Sequence, residues 1–467
     1  MMALKLFNTL KRKIQLFTPL HDKKIAFYTC GPTVYNIAHI GNFRAFVCYD
    51  LLKRYLQFKG YKVKHVMNIT DIDDKIIRDC QKQELTLQAF TKHYTDLFIQ
   101  DLNTLNIIPA DHTPKATEYI QDMIHLIQKL IDARVAYTAD EGVYFQVTSF
   151  KDYGKLANIN IEELKSGASG RIAADEYDKA NAQDFALWKF WTKDDGNIFW
   201  NAPFGKGRPG WHIECSVMAQ QLLGNQIDIH MGGVDLIFPH HQNEIAQLEP
   251  ITKKEFAKYW IHTEHLLVDG KKMSKSLGNF YTLRDLLNKG FKPNGIRYLL
   301  LATHYRQKLN LNFEALHAAE AAVKALDEFV MHLDNCKASE NNPRIPRLIK
   351  TCLTNFEKAM DNDLSISEAL AIIHEFMTRI NIIHSKLSSQ DAEKIKKTMK
   401  KINGVLDVIT FSTYSVPDYI WILVNKRETA RKHKDWKTAD AAREKLKEEG
   451  WYIEDLPNGP QPRRINV

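Results

Sequence analysis

Four residues scattered through the chain carry the side chains of a soft-metal site. Cys30 closes the run Ala26-Phe-Tyr-Thr-Cys30, and Cys215 ends Pro209-Gly-Trp-His-Ile-Glu-Cys215. Beyond it, Pro239-His-His-Gln-Asn-Glu244 places His240 and Glu244 four residues apart after a proline, hence on one face of a helix that begins there. Two thiolates, an imidazole and a carboxylate fit zinc. The spacing alone does not select them. They span more than 200 residues, each cysteine taken singly reads as a small buried hydrophobe before it reads as a ligand, and His241 competes with His240 by composition.

Two further stretches suit phosphate chemistry. Residues 26–42 read as an apolar strand that breaks at Cys30-Gly31-Pro32 and re-enters a helix after His39. In an α/β domain such a corner directs helix N-terminal amides at a ligand. The segment Val268-Asp-Gly-Lys-Lys-Met-Ser-Lys-Ser-Leu-Gly-Asn279 brackets three lysines and two serines between glycines, a mobile clamp for a polyphosphate. Taken as a bare charge run, the same segment is a solvated loop.

The elements that must hold these residues follow from periodicity. Ile25–Cys30, an i, i+4 stripe through Val47, Leu51 and Tyr55 ending at Gly60, and Val63–Ile69 form a strand, helix, strand unit. The second strand is apolar enough for a buried parallel sheet and ends in the polar run Asn68–Asp74. Residues 112–134 predict an amphipathic helix, Gly142–Val147 a strand, and Ser166–Gly170 a flexible loop, so this part reads as an insertion. Gln226–His230 predicts another strand, followed by a glycine pair in Met231-Gly-Gly-Val-Asp235 that by itself reads as a tight turn. Segments 314–335, 344–361, 365–387 and 391–409 predict a helical bundle, and Ser412–Pro417 a linker. The fold class is therefore α/β: a Rossmann-like parallel-sheet domain with an insertion, an α-helical bundle and a small C-terminal α(+β) domain. The boundaries are 1–111 and 196–250 for the two Rossmann-like halves, 112–195 for the insertion, 251–312 for the lysine-loop region, 313–411 for the bundle and 412–467 for the tail.

Composition agrees with that class. The chain has 467 residues, 44% hydrophobic and 26% charged, enough for several packed domains. Its apolar runs are too short for a membrane span or a signal peptide. The six cysteines lack the close spacing of a disulfide framework, so reduced thiols and a cytoplasmic setting are expected. The net charge of +8 permits a polyanionic partner, and the tail is basic, with nine Lys/Arg against four Asp/Glu between Asn425 and Lys447.

The motifs together resemble a known family. His39-Ile-Gly-Asn42 resembles the HIGH signature of class I aminoacyl-tRNA synthetases, and Lys272-Met-Ser-Lys-Ser276 matches their KMSKS signature. Tyr28–Tyr35, Asn68–Lys75, Gly210–Ser216 and Phe238–Glu244 are similar to the corresponding stretches of the cysteinyl-tRNA synthetase family, over essentially the whole chain. Asn42 departs from the second HIGH histidine, and Gln242 stands where many relatives have glutamate.

The resemblance implies one zinc on Cys30, Cys215, His240 and Glu244, and an amino-acid pocket at Thr70 and Trp211. It implies ATP contacts from His39, Asp235 and Lys275, with His39, Asn42, Lys272 and Lys275 as the catalytic set. It also implies anticodon reading by Arg431, Trp436, Asp440 and Asp455, where an exposed Trp436 would stack on a base. The activity implied is ATP–magnesium-dependent activation of L-cysteine to cysteinyl-adenylate, then transfer to the 3′-terminal adenosine of tRNA(Cys). No covalent enzyme intermediate is needed, so catalysis is positioning and charge stabilisation. A hydrophobic pocket separates serine from cysteine by roughly 10- to 200-fold, and a zinc-held thiolate supplies the remainder. A monomer is expected. A cysteine ligase acting on a small sugar would lack the basic tail, a catalytically dead RNA-binding protein would not need the lysine loop, and a dinucleotide oxidoreductase would need a G-x-G-x-x-G turn that the first corner lacks.

Overall fold

The computed structural model describes residues 3–159, 184–274, 278–411, 417–456 and 459–465. The loop expected at Ser166–Gly170, Lys275 and most of the linker from Ser412 lie outside the described residues.

The apolar runs that read as strands form one parallel sheet. We label its strands β1 (Lys24–Thr29), β2 (Lys62–Met67), β3 (Ile227–Gly233) and β4 (Ala257–Thr263), in the spatial order β4-β3-β1-β2. Tyr28 lies opposite both Val66 and His230. Because β1 and β3 are neighbours, the chain winds outward in both directions from the gap between them. The carboxyl ends beside that gap are where open α/β sheets take ligands.

Helix α1 (Ile40–Phe58) follows β1 and is buried on far more than the expected stripe. Arg44, Asp50 and Lys53 are also enclosed, and each is matched. Arg44 donates to the carbonyls of Leu300, Thr303 and His304, and Lys53 Nζ to the Pro109 carbonyl at 2.7 Å. Asp50 accepts from Arg297, from Arg54 Nε at 2.7 Å and from the Ile108 amide at 2.9 Å. At the far end Tyr55 donates to Asp361 in the bundle at 2.7 Å. Periodicity reveals the helix but not its full enclosure, because buried charges interrupt the apolar stripe. Its role is mechanical: it fixes where its first turn, with His39, points.

The insertion is a five-stranded antiparallel sheet in the order Ala136–Ala139, Gly142–Phe145, Phe185–Phe190, Gly205–Pro209, Trp200–Ala202. Its last two strands lie beyond the expected edge at residue 195, and the second Rossmann-like half begins at helix α2 (Trp211–Leu223). Both strands are short, and Gly205–Pro209 holds two glycines and no apolar alternation, so neither is seen in sequence. The expected helix over 112–134 is a 3-10 turn, Ala116–Tyr119, followed by Ile120–Asp132.

Four bundle helices follow, Phe313–His332, Ile345–Asp361, Ile366–Ile382 and Ser389–Leu406. The chain divides into two units, Met1–Thr410 and Phe411–Val467. The second unit has helices Asp418–Lys432 and Trp436–Glu448 and a hairpin, Trp451–Leu456 with Gly459–Arg464, around a core of Ile420, Val424, Leu446 and Trp451. Among the described residues no helix is long and apolar enough to cross a membrane.

Candidate active site

The site gathers at the β1–β3 gap. Gly31 follows β1 so closely beside the end of β2 that an added Cβ would lie 1.7 Å from the Asn68 carbonyl oxygen. The Gly31 amide donates to Asn68 Oδ1 at 2.9 Å, which clamps the two strand ends together. Cys30, Cys215, His240 and Glu244 are all buried, and one ligand atom from each falls within 4.8 Å of the others. Cys30 and Cys215 place their sulfurs 3.9 Å apart, and His240 Nε2 lies 3.4 Å from the Cys215 sulfur and 3.3 Å from Glu244 Oε1. His240 sits in a π-type turn and Glu244 in the first turn of helix α3 (Gln242–Thr252).

A second set overlaps the first: Cys30, His230, His241 and Glu244 meet the same distance limit. One distance separates them: His240 Nε2 lies 3.3 Å from Glu244 Oε1, against 3.9 Å for His241 Nε2. His230 Nε2 is bonded to Glu244 Oε2 at 2.8 Å, so it orients the carboxylate. His241 Nδ1 is bonded to His262 Nε2 at 2.8 Å, and His262 continues to Thr9 Oγ1 at 2.7 Å. Glu244 Oε1, common to both sets, is buried and accepts no hydrogen bond among the described residues, a lone pair aimed at the cluster. With two sulfurs, the first set has the stronger zinc chemistry. His230, His262 and Glu214 were not singled out by sequence reasoning, and His241 only as a competitor of His240 by composition. The residue types were visible at positions 230 and 241, but only the strand register and the turn at Pro239 bring them together.

Electrostatics match a cation-binding pocket. Burial pushes the Cys30 thiol and the Glu244 carboxyl well up and the His240 imidazole well down, and the neighbouring Cys215 raises Cys30 further. Burial alone holds His230 down to about 3. Cys30, Glu244, His240 and His230 therefore prefer their neutral forms here, and a bound cation reverses this for the thiol and the carboxyl. The residues present fit zinc.

Trp211 and Thr70 stand beside this cluster. Trp211, the first residue of α2, lies over His240 with ring centres 4.4 Å apart. Thr70 is buried, donates its hydroxyl to Glu214 Oε2 at 2.8 Å and accepts from Asn68 Nδ2 at 3.2 Å.

His39 and Asp235 follow β1 and β3, the two strands that border the same gap. His39 caps α1: its Nδ1 accepts from the Asn42 amide at 3.2 Å, while Asn42 Oδ1 accepts from the His39 amide at 3.1 Å. The departure at Asn42 thus closes a reciprocal cap. Burial lowers the His39 imidazole, and the Asp235 carboxylate partly offsets this. The glycine pair before Asp235 is more than a turn. A Cβ on Gly232 would meet the His241 ring at 2.5 Å, and one on Gly233 would meet Asp235 Oδ1 at 2.4 Å. Both glycines make room for neighbouring side chains, the His241 ring and the Asp235 carboxylate.

The lysine loop reaches this corner. A Cβ on Gly41 would lie 2.7 Å from Met273 Cε, so Met273 packs on the first turn of α1. Asn279 closes the loop by accepting from the Ser274 amide at 2.9 Å and donating to the Lys272 carbonyl at 3.2 Å. Lys272 is exposed at the end of a short antiparallel pairing with Leu267.

In the second unit Arg431 and Asp455 meet at 2.9 Å. Asp455 is held firmly by Arg427, which bonds both of its oxygens at 2.8 Å and, with Arg431, keeps the carboxyl well below the usual carboxylate range. Arg427, one turn before Arg431, was not foreseen. Trp436 is 60% exposed, and Asp440, four residues on, is exposed on the same helix.

Comparison with known proteins agrees with this arrangement. Residues 16–321 match the family described as tRNA synthetases class I (C) catalytic domain, and residues 355–410 match the DALR domain. The cysteine–tRNA ligase of Chlamydia felis is 49% identical over 98% of both chains, and that of Protochlamydia amoebophila is 46% identical over 99% of this chain and 98% of its own. Among solved structures, Mycobacterium tuberculosis methionyl-tRNA synthetase bound by methionyl-adenylate superposes with a TM-score of 0.59 at 16% identity, over 82% of this chain and 92% of its own. A ternary complex of Agrobacterium radiobacter K84 LeuRS gives 0.62 at 12% identity, over 84% and 85%. At these identities the structural likeness concerns the fold.

Proposed function

Because this chain belongs to the cysteine–tRNA ligases of the class I tRNA synthetases, we propose that it activates L-cysteine with ATP and transfers it to the 3′ end of tRNA(Cys). The observation that carries the amino-acid assignment is the buried set Cys30, Cys215, His240 and Glu244 directly under Trp211. These four residues would hold zinc, which when bound supplies a Lewis acid able to keep the substrate thiol as a thiolate.

The chain's own residues do the rest. Trp211 covers the pocket, and Thr70, braced by Glu214 and Asn68, presents a fixed hydroxyl to the amino acid. The cysteine carboxylate attacks the α-phosphate of ATP, forming the adenylate and releasing pyrophosphate. His39, held at the head of α1 by Asn42, faces the phosphates together with the α1 amides. Asp235, on the 3-10 turn after β3, takes the ribose. Lys272, with Lys275, neutralises charge on the pyrophosphate as it leaves, with magnesium entering as the nucleotide's own counter-ion. Met273 on Gly41 couples closure of that loop to the position of His39. The tail, through Arg431, Trp436, Asp440 and Asp455, reads the anticodon, and the enzyme acts as a monomer in the cytoplasm.

The test is exchange of labelled pyrophosphate into ATP, with cysteine or serine as the amino acid, followed by transfer of labelled cysteine to total tRNA. Exchange driven by cysteine and not by serine, with charging of one tRNA, is the expected result. Equal exchange with serine, or cysteine activation without RNA charging, would refute the assignment.

A further inference from the structure

A fully buried tyrosine lies in the parallel sheet next to the metal set. Tyr28 is on β1, two residues before Cys30, so the two side chains share a face of the sheet. That face continues across the strands: Tyr28 lies opposite His230 of β3, and His230 opposite Trp260 of β4. The His230 ring is held between its neighbours, 5.1 Å from the Tyr28 ring centre and stacked on Trp260 at 4.5 Å. Tyr28, Cys30 and Cys215 are buried in one core, and Tyr28 has no exposed surface.

The Tyr28 hydroxyl has no hydrogen-bond partner among the described residues. A buried hydroxyl left unpaired is costly, and the groups around this one say what would pair it. Burial raises the Tyr28 phenol most, and the Cys215 sulfur, the Cys30 sulfur and the Glu244 carboxylate raise it further. Three of the four candidate ligands therefore lie within electrostatic reach of the hydroxyl, Cys215 foremost. A neutral thiol is a weak acceptor, so beside an S–H the phenol stays unpaired. A sulfur that holds a cation is a thiolate and accepts strongly.

We propose that Tyr28 is a positioning residue of the metal site, its hydroxyl donating to the Cys215 sulfur once that sulfur holds the metal. The proposal rests on the reading of Cys30, Cys215, His240 and Glu244 as a zinc site, and it adds a fifth residue that acts through one of the four. The bond has two effects. It lowers the cost of keeping a thiolate in a dry pocket, which tightens metal binding. It also draws charge from the sulfur, so the bound metal polarises an incoming thiol more strongly. His230 and Trp260 fix the tyrosine ring, and His230 also orients the Glu244 carboxylate. Two anionic ligands are thus braced from the same face of the sheet.

The test uses the full-length protein, its Tyr28→Phe variant and the metals alone, zinc and cobalt(II). Phenylalanine keeps the buried ring and removes only the oxygen. In chelator competition the variant should hold zinc roughly 10- to 100-fold more weakly than the wild type. Its cobalt form should absorb at longer wavelength in the sulfur-to-metal band, because the sulfur has lost a donor. Stripped of metal, the variant should unfold at the wild-type temperature or above it, since an unpaired buried hydroxyl has been removed. A tyrosine that only packs the core would give the reverse, a less stable metal-free protein and an unmoved band. Zinc affinity within about twofold of wild type, an unmoved cobalt band, or a metal-free variant that unfolds earlier would overturn the proposal. Metal uptake by the wild-type protein tests the underlying reading separately: a wild type that takes up neither metal refutes that reading and the proposal with it.

Discussion

Replacing Thr70 by valine isolates one hydroxyl in the amino-acid pocket. The backbone should hold, because the Thr70 amide and carbonyl keep their bonds to Pro32 and Val34 and valine shares the β-branched shape. What is lost is the 2.8 Å bond to Glu214, 1% exposed, and the 3.2 Å bond from Asn68. Glu214, already raised by burial, loses a partner that favours its ionised form. Asn68 also grips the Gly31 amide and lies 3.6 Å from the Cys215 sulfur, so slack at Asn68 reaches the metal-ligand cluster. A buried polar group left without its partner costs about 1–3 kcal/mol. At about 2 kcal/mol the loss is roughly 30-fold in kcat/KM for cysteine. Pyrophosphate exchange with cysteine varied at saturating ATP measures it, and KM for ATP should stay at the wild-type value. A fall in kcat/KM for cysteine of less than twofold would refute the role given to Thr70.

Three further outcomes are expected. Asn42→Ala opens the reciprocal cap on α1; it should cost about 1 kcal/mol and lower kcat for exchange by up to tenfold, which Asn42→Asp should largely restore. Metal uptake should strengthen with pH. Burial and Cys215 raise the Cys30 thiol, so below that raised value binding must displace its proton, and apparent affinity climbs about tenfold per pH unit for each proton released; a chelator competition between pH 6.5 and 8.5 with no slope would contradict this. Arg427→Gln frees Asp455 from its two-point hold and should raise KM for tRNA by up to roughly tenfold with kcat unaltered, as steady-state charging assays will show.

Local pattern was enough for the parallel core. Apolar runs such as Ile25–Thr29 and Ile227–Met231 need no long-range information to read as buried strands, and glycines and prolines mark their ends. The metal set was legible as residue types but not as a choice between His240 and His241, which are adjacent in sequence and both turned inward at the Pro239 turn. What stayed hidden depends on contacts between distant segments. His230 reads as one polar residue in a strand until register places it against Glu244. Glu214 looks like a helix-surface carboxylate until Thr70 meets it from β2's end. The charges inside α1 break an amphipathic stripe because their partners come from distant segments, the helix holding Arg297, the residues just after it and the turn at Ile108–Pro109. The glycines at 232 and 233 read as a turn until the side chains they accommodate are located.

The central claim is that Cys30, Cys215, His240 and Glu244 form a metal site that grips the substrate thiol. Metal analysis of the purified protein beside its Cys30→Ser variant tests it most directly. About one zinc per chain in the wild type, with the variant largely stripped of it, is the predicted result. A wild-type protein without zinc that still activates cysteine and rejects serine, or a variant with the full complement, would contradict it.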